Sequence, residues 1–288
     1  MKLLTMDVVV PAWNEEVDIA GCLDCLLAQG DDLRKIIVVD NASVDKTASI
    51  VKKYARKHPK IKLVYEARPG VENARNAGFA KSTADIIGRI DADTRVQTDW
   101  AKAARQFLTE NPDLAGCSGY TAYYDLPCRP LTNFFSWLAV FVVNEVFGGN
   151  YSFYGANMAI RRDVWEKVRK DVKTEHDGRI MEDLSISIAI NNVGKKVGWA
   201  KEMAANVSGR RIRTGPLELC KYNSRWWRTY KVYGRSGQAW LTRIFGSWLG
   251  NVVLGVYGTV IRFHNPKTMK WSLKNWRRGF EGRDFRAS

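Results

Sequence analysis

The sequence predicts an α/β fold built on a mostly parallel central sheet. Two observations carry this. In the first third of the chain, apolar β-branched runs alternate four times with amphipathic segments at roughly 25-residue spacing, as in successive βα units. Acidic residues also gather where the apolar runs stop, as ligand-binding groups do at the carboxyl edge of open α/β sheets. With 288 residues, 45% hydrophobic and 26% charged, the chain has material for a globular core rather than a disordered one.

The elements follow in order. Met6–Pro11 is a short apolar strand stopped by proline, and Val17–Gln29 is a helix with Ile19, Leu23, Leu26 and Leu27 on one face. Lys35–Asp40 repeats the pattern of a strand ending in an acid. Asn41–Thr47 supplies turn and cap chemistry for a helix running to Lys57. Lys60–Glu66 is a third strand, Val71–Ser82 a helix, and Ile86–Ile90 a fourth strand that runs into Asp91-Ala92-Asp93. A helix over 98–110, a strand over 114–124, a strand over 152–160 and a helix over 163–170 are expected next. A helix over 184–192, opened by Glu182-Asp183, and a late strand over 196–200 complete the body. Between them, the dense apolar run Phe134–Val143 reads as a buried or interfacial helix, because the uncharged stretch from Leu131 to Asn144 is too short to span a bilayer.

Charge divides the chain in two. Residues 201–288 hold 18 Lys and Arg against 4 Asp and Glu, and residues 1–200 hold 27 against 26. The basic tail also carries six of the eleven tryptophans, Trp226, Trp227, Trp240, Trp248, Trp271 and Trp276. Within it, 244–261 is free of charge, with large and small residues segregated to two faces and Arg243 and Arg262 at its ends. Lys267, Lys270, Lys274, Arg277 and Arg278 follow. This composition suits a helix lying in an anionic membrane interface, or packing closely on a neighbour, better than one crossing lipid alone. The opening Met1–Asp7 is too short for a signal peptide and runs at once into a strand, so a cytoplasmic setting is expected. Five scattered cysteines fit reduced structural thiols, and His58, His176 and His264 are too dispersed for a zinc site.

Neither Gly-x-Gly-x-x-Gly after the first strand nor a P-loop signature is present, so the usual anchors of dinucleotide and P-loop chemistry are missing. Instead Glu15 and Glu16 follow the first strand, Asp40 ends the second, and Asp91 and Asp93 end the fourth. Carboxylates there accept from ribose hydroxyls or a base N–H. In an extended chain the residues i and i+2 point the same way, so Asp91 and Asp93 are expected to converge on one hard cation. Arg68, Arg75 and the helix start near Val71 would help hold a diphosphate.

Pro11-Ala-Trp-Asn-Glu-Glu16, Val39-Asp-Asn-Ala-Ser-Val-Asp45-Lys-Thr47, Gly70-Val-Glu-Asn-Ala-Arg75-Asn76-Ala-Gly78, Asp91-Ala-Asp93, Gly155-Ala-Asn157-Met-Ala-Ile-Arg161-Arg162 and Glu182-Asp183 occur in order. Together, over residues 6 to 200, they resemble family-2 glycosyltransferases of the GT-A fold. The resemblance implies that Pro11, Ala12, Glu15 and Asp40 hold the base and ribose of a nucleotide-diphosphate sugar. Trp13, Arg68, Arg75 and Asn76 would belong to the same donor site. Asp91, Ala92 and Asp93 form the motif that manages Mg²⁺ or Mn²⁺, with Asp93 the direct ligand. Asp183 is implied as the base of a single inverting displacement, supported by Glu182, with Asn157 on the sugar or acceptor side. Processive members carry Gln-x-x-Arg-Trp near Arg225-Trp226, but Tyr222 stands where Gln is expected, which argues for transfer of one sugar. Arg225 and Trp226 remain candidates for the acceptor.

The expected organisation is a catalytic domain over 1–205, with a donor half to about 95, and a membrane-associating helical region over 206–288. The expected setting is the cytoplasmic face of the membrane, with a lipid-linked or membrane-proximal acceptor and no nucleic acid. Two other classes stay open: a nucleic-acid-binding protein using the basic tail, and a nucleotidyltransferase on a similar core.

Overall fold

The computed structural model describes residues 3–127, 134, 152–174, 179–213, 216–244, 250–265 and 270–273. The expected helix 134–143 (except Phe134), together with Cys128, His176, Trp248, Trp276, Lys267, Lys274, Arg277 and Arg278, lies outside them.

Eight strands form one sheet: β1 (Met6–Ala12), β2 (Lys35–Asp40), β3 (Ile61–Tyr65), β4 (Ile86–Arg89), β5 (Arg95–Val96), β6 (Leu114–Tyr123), β7 (Met158–Arg161) and β8 (Lys196–Val207), in the order β3-β2-β1-β4-β7-β6-β8-β5. The first half is as expected. β3, β2, β1 and β4 are parallel neighbours, linked by α1 (Ile19–Leu27), α2 (Thr47–Lys57) and α3 (Val71–Phe79). Their apolar runs are continuous because both faces are covered. Val8, Val10, Ile36 and Val38 pack on one side with Ile19, Leu23 and Leu26, whereas Val9, Ile37 and Val39 pack on the other with Phe79 and Ile87.

The second half is mixed. β7 enters antiparallel between β4 and β6, while β8 runs parallel to β6 and antiparallel to β5. β5 is an extra strand of two residues, and β8 extends to Val207 rather than stopping near Ala200. Its register against β6 breaks twice, and this irregularity hides the strand's length from a periodicity reading. Residues 152–154 have no regular structure and 155–157 form a turn, so the expected strand there starts only at Met158. Helices α4 (Trp100–Glu110), α5 (Arg162–Val168) and α6 (Glu182–Asn192) complete the body.

The basic segment is helical as well: α7 (Pro216–Val232), α8 (Ser236–Leu241) and α9 (Gly250–Ile261). Tyr230, Ala239, Tyr222, Trp226 and Tyr233 pack with Met181, Leu184 and Ile188, so α7 lies on the start of α6. Ile261 and Tyr257 of α9 pack with Leu126 and Ile212. Among the described residues no helix is long and apolar enough to cross a membrane. Cys22, Cys25, Cys117 and Cys220 are free thiols. Burial raises the pKa of Cys22 and Cys25, and pushes that of Cys117 up to about 12, so they stay protonated and unreactive.

Candidate active site

The sheet brings the sequence-predicted acids to one edge. Pro11 and Ala12 lie beside Val39 and Asp40 in register, so the ends of β1 and β2 are adjacent. Their loops are stitched together. Asn14 Oδ1 accepts from Val44 N (2.9 Å), Glu15 N donates to Thr47 Oγ1 (2.7 Å), and Glu16 N donates to Asp45 Oδ2 (3.0 Å). Asn14 sits at φ 53°, a left-handed conformation that Asn tolerates, and this turns the chain toward α1. Asp40 is buried and accepts from Ser43 N. Asn41 Nδ2 donates to the carbonyls of Glu66 and Arg68, tying the end of β3 to the same edge. Trp13 is half-buried there.

Asp91 and Asp93 follow β4, but not as an extended pair. Thr94 N donates to the Asp91 carbonyl (3.0 Å), closing a turn, and the two carboxylates go to different cations. Asp91 pairs with Arg89 (2.9 Å) and keeps an exposed side; Asp93 is buried and pairs with Arg210 Nε (2.9 Å). The expectation that period-two geometry makes both converge on one point is therefore corrected, because the turn breaks the alternation.

Two buried charge clusters result. In the first, Arg210, from a 3-10 turn (Arg210–Arg213) after β8, forks onto Glu15 (2.7 and 3.0 Å), contacts Asp93 and lies 4.0 Å from Asp18. Burial, with Asp91, Glu15 and Asp18 nearby, pushes the Asp93 carboxyl up to about 7 against the opposing pull of Arg210. Burial works against the Arg210 charge, but Asp93 and Glu15 raise its pKa overall.

In the second cluster Glu182, at the start of α6, accepts from Arg75 Nη1 (2.6 Å) and Arg89 Nη2 (2.8 Å). Arg75 is buried, stacks 5.5 Å from the centre of Trp165 and also donates to Asn76 Oδ1. Asp183 is fixed by two backbone N–H groups, Gly155 N on Oδ2 (2.9 Å) and Leu184 N on Oδ1 (2.8 Å). Burial first, and Glu182 second, raise its pKa above the ordinary aspartate value, opposed by the Gly155 N–H and Arg89. Gly155 is required here because a Cβ at this position would collide with Arg89 Nη1.

The remaining candidates have structural placements. Asn157 is fully buried, accepts from Trp100 Nε1 (2.7 Å) and donates to the carbonyls of Tyr120 and Met203. It clamps β6, β7 and β8 to α4 instead of lining an open surface, which corrects its expected place beside the acceptor. Arg225 donates to the Ile180 carbonyl through Nε (3.1 Å) and Nη2 (2.9 Å), and Trp226 packs with Met181 and Leu184. Both hold the approach to Glu182-Asp183. Arg68 is exposed and pairs with Glu66.

Arg89 and Arg210 were not singled out by the sequence. Arg89 had a signal: it is the one charge inside the apolar run 86–90, and a buried charge needs a partner. Arg210 had none beyond the basic composition of its region.

Among the described residues, no three His, Cys, Asp or Glu side chains are grouped to enclose a metal ion. Among the described residues, Asp93 and Asp91 are the candidate ligands, both hard oxygen donors. A buried anion crowded by other acids suits a divalent cation whose remaining ligands come from substrate phosphates and water.

Comparison with known proteins agrees with this fold. The model of Glycosyl transferase family 2 matches residues 7–169, more than half of the chain, and the protein belongs to that family. It is 31% identical over 216 residues to the probable glycosyltransferase YdaM of Bacillus subtilis (strain 168), covering 67% of this chain and 48% of that protein. The first curated relatives are matched over a third to three fifths of their own lengths. Among solved structures, the mannosyltransferase PcManGT from Pyrobaculum calidifontis, in complex with GDP-Man and Mn²⁺, superimposes with a TM-score of 0.62 at 21% identity, covering 96% of this chain and 79% of that one. Glucosyl-3-phosphoglycerate synthase from Mycobacterium tuberculosis, with Mn²⁺, UDP and phosphoglyceric acid, gives 0.55 at 16% identity and covers 78% of each chain. The fold is GT-A.

Proposed function

We propose that the protein is an inverting, metal-dependent glycosyltransferase. It moves one sugar from a nucleotide-diphosphate donor to a lipid-linked or membrane-proximal acceptor. The observation that carries this reading is Asp183, held by two backbone N–H groups and next to Glu182, whose partner Arg89 also pairs with Asp91 at the acid-lined strand edge. Its raised pKa brings it closer to the range useful for a general base, while both of its oxygens are oriented by neutral donors.

The donor lies along the ends of β1, β2 and β4. Asp40, Glu15, Pro11, Ala12 and Trp13 take the base and ribose, and Arg68 faces the diphosphate. Arg75 and Asn76 act from behind, by holding Glu182. Asp93, with Asp91 beside it, would hold Mg²⁺ or Mn²⁺, which when bound neutralises charge developing on the diphosphate. Asp183 accepts the acceptor hydroxyl proton at an Oδ atom as the new O–C1 bond forms and the C1–O bond to the diphosphate breaks. The electron pair leaves with the diphosphate, and the sugar inverts. Glu182, neutralised by Arg75 and Arg89, keeps the segment before Asp183 in place.

Membrane contact is proposed for the basic segment. Trp240, Val256, Val260, Trp271 and Leu273 are exposed on it, within a region of 18 basic and 4 acidic residues. Sedimentation with anionic but not neutral vesicles is expected. The donor reading is tested by calorimetric titration of UDP and GDP with and without Mn²⁺. Binding of one nucleotide that needs Mn²⁺ and is lost in Asp93→Ala is expected, and failure of both to bind at millimolar concentration rejects it. If the acceptor is an already ionised polyprenyl phosphate, Asp183→Asn keeps much of its activity; with an alcohol acceptor the variant is slower by about a hundred- to ten-thousandfold.

A further inference from the structure

Arg210 occupies the place where the donor reading needs another cation. Its guanidinium forks onto Glu15 and puts Nε 2.9 Å from Asp93 Oδ2, with Asp18 4.0 Å away. A divalent ion bound to Asp93 would sit about 2.0–2.2 Å from a carboxylate oxygen, too close to that guanidinium to avoid strong repulsion. The two cations therefore compete for the same carboxylate. The turn that carries Arg210 has a firm foot: Gly209 N and Ser208 Oγ both bond to the Asp125 carboxylate (2.6 and 2.7 Å). Beyond the foot, Ile212 is wedged against Leu126 and Ile261 of α9. The guanidinium is therefore presented by a short turn anchored at one side and packed under a tail helix at the other. Arg89 and Arg75, in contrast, are carried by a core strand and a core helix.

We propose that Arg210 is the resident counter-ion of the donor-free site. It neutralises Asp93 and Glu15 until a divalent cation and a diphosphate arrive, and binding of the cation requires Arg210 to release Asp93. The inference rests on the donor-site reading above and adds that Arg210 sets the affinity of the free protein for metal. Without such a competitor, the Asp93 carboxylate, with Asp91 beside it, would be open to divalent ions from solvent. With it, the site takes up metal effectively only together with the nucleotide that supplies the remaining ligands.

The test is a Mn²⁺ titration followed by electron paramagnetic resonance of the free ion, on the nucleotide-free full chain. Arg210→Met is expected to bind Mn²⁺ about tenfold more tightly than the unaltered protein, within the usual range for coupled sites. The double variant Arg210→Met/Asp93→Asn is expected to lose that gain. An Arg210→Met affinity equal to or weaker than that of the unaltered protein overturns the proposal. The same titration of unaltered protein with UDP or GDP present separates the two ideas. Mn²⁺ uptake there upholds the donor reading whatever Arg210→Met shows, and absence of uptake removes both. Should Arg210→Met fail to fold, hydrogen exchange of unaltered protein decides. Faster exchange over 210–213 on adding Mn²⁺ and nucleotide is expected, and unchanged or slower exchange overturns the proposal.

Discussion

The two charge clusters at the crevice are built from the same residue types and differ in what carries the cation. Arg75 and Arg89 stand on α3 and β4 and are almost wholly buried, with Glu182 between them. Arg210 reaches Glu15 across 195 residues of sequence, on a 3-10 turn, and keeps a fifth of its side chain exposed. Buried ion pairs gain little over apolar packing but are costly to break, so the scaffold beneath the cation decides whether a pair is permanent or exchangeable. The Glu182 cluster is a fixture, whereas the Asp93 cluster can be opened.

Four changes sharpen or break that contrast, taken from the largest effect down. Arg89→Met leaves Glu182 with half its counter-charge and Asp91 with none from this side. Loss of about 3–5 kcal/mol in denaturant unfolding is expected, together with loss of activity. A variant as stable as the parent would show that this cluster, too, is exchangeable. Asp183→Asn keeps only one of the two backbone contacts, because its Oδ1 can accept but its Nδ2 cannot. A stability cost of about 1–3 kcal/mol is expected, with a fall in kcat toward an alcohol acceptor of about a hundred- to ten-thousandfold. In the unaltered enzyme the base must be ionised. Because its pKa is raised, activity should fall on acidification at a higher pH than an ordinary aspartate would give, and rise to a plateau above it. A pH–rate profile flat down to the normal aspartate range would remove Asp183 as the base.

Thr229→Val takes from Met181 N its acceptor (2.8 Å) just before Glu182-Asp183. A cost of about 1–3 kcal/mol is expected for the stranded N–H. Positioning should show as a fall in kcat with donor KM nearly unchanged; equal changes in both would mean a general loss of structure. Arg68→Ala is the mildest. Its guanidinium lies in solvent and serves mainly to hold the Glu66 carboxyl down to about 2, so the melting temperature should not move. A rise in donor KM would place Arg68 on the diphosphate, and an unchanged KM would remove it.

What the sequence disclosed follows the range of the forces involved. β1 to β4 and their crossover helices were legible because their signals are local: apolar runs, acids at their ends, turn residues between. The acids were placed at the right edge for the same reason. The second half was less legible. The strands expected over 152–160 and 196–200 found β7 and the start of β8, but β7 begins only at Met158, two register breaks hide the rest of β8, and β5, with two residues, carries no period to read. Asn157 was misread because a motif position says nothing about burial, and its amide is spent on Trp100, Tyr120 and Met203. The counter-ions were the hardest to see. Which arginine meets which acid is decided by tertiary geometry, and no local pattern distinguishes Arg210 from its basic neighbours.

The docking of α7 has a practical consequence for anyone who would cut this protein into pieces. The jump in charge after residue 200 invites a truncation near 205, as though a soluble enzyme had been fused to a basic appendage. Arg225, Thr229 and Tyr233 nevertheless bond to Ile180, Met181 and Ser185, on either side of the acid pair. A fragment ending at 205 would expose Met181, Leu184 and Ile188 and release the first turn of α6. The shortest stretch that preserves the crevice runs at least through Tyr233, well inside the basic segment.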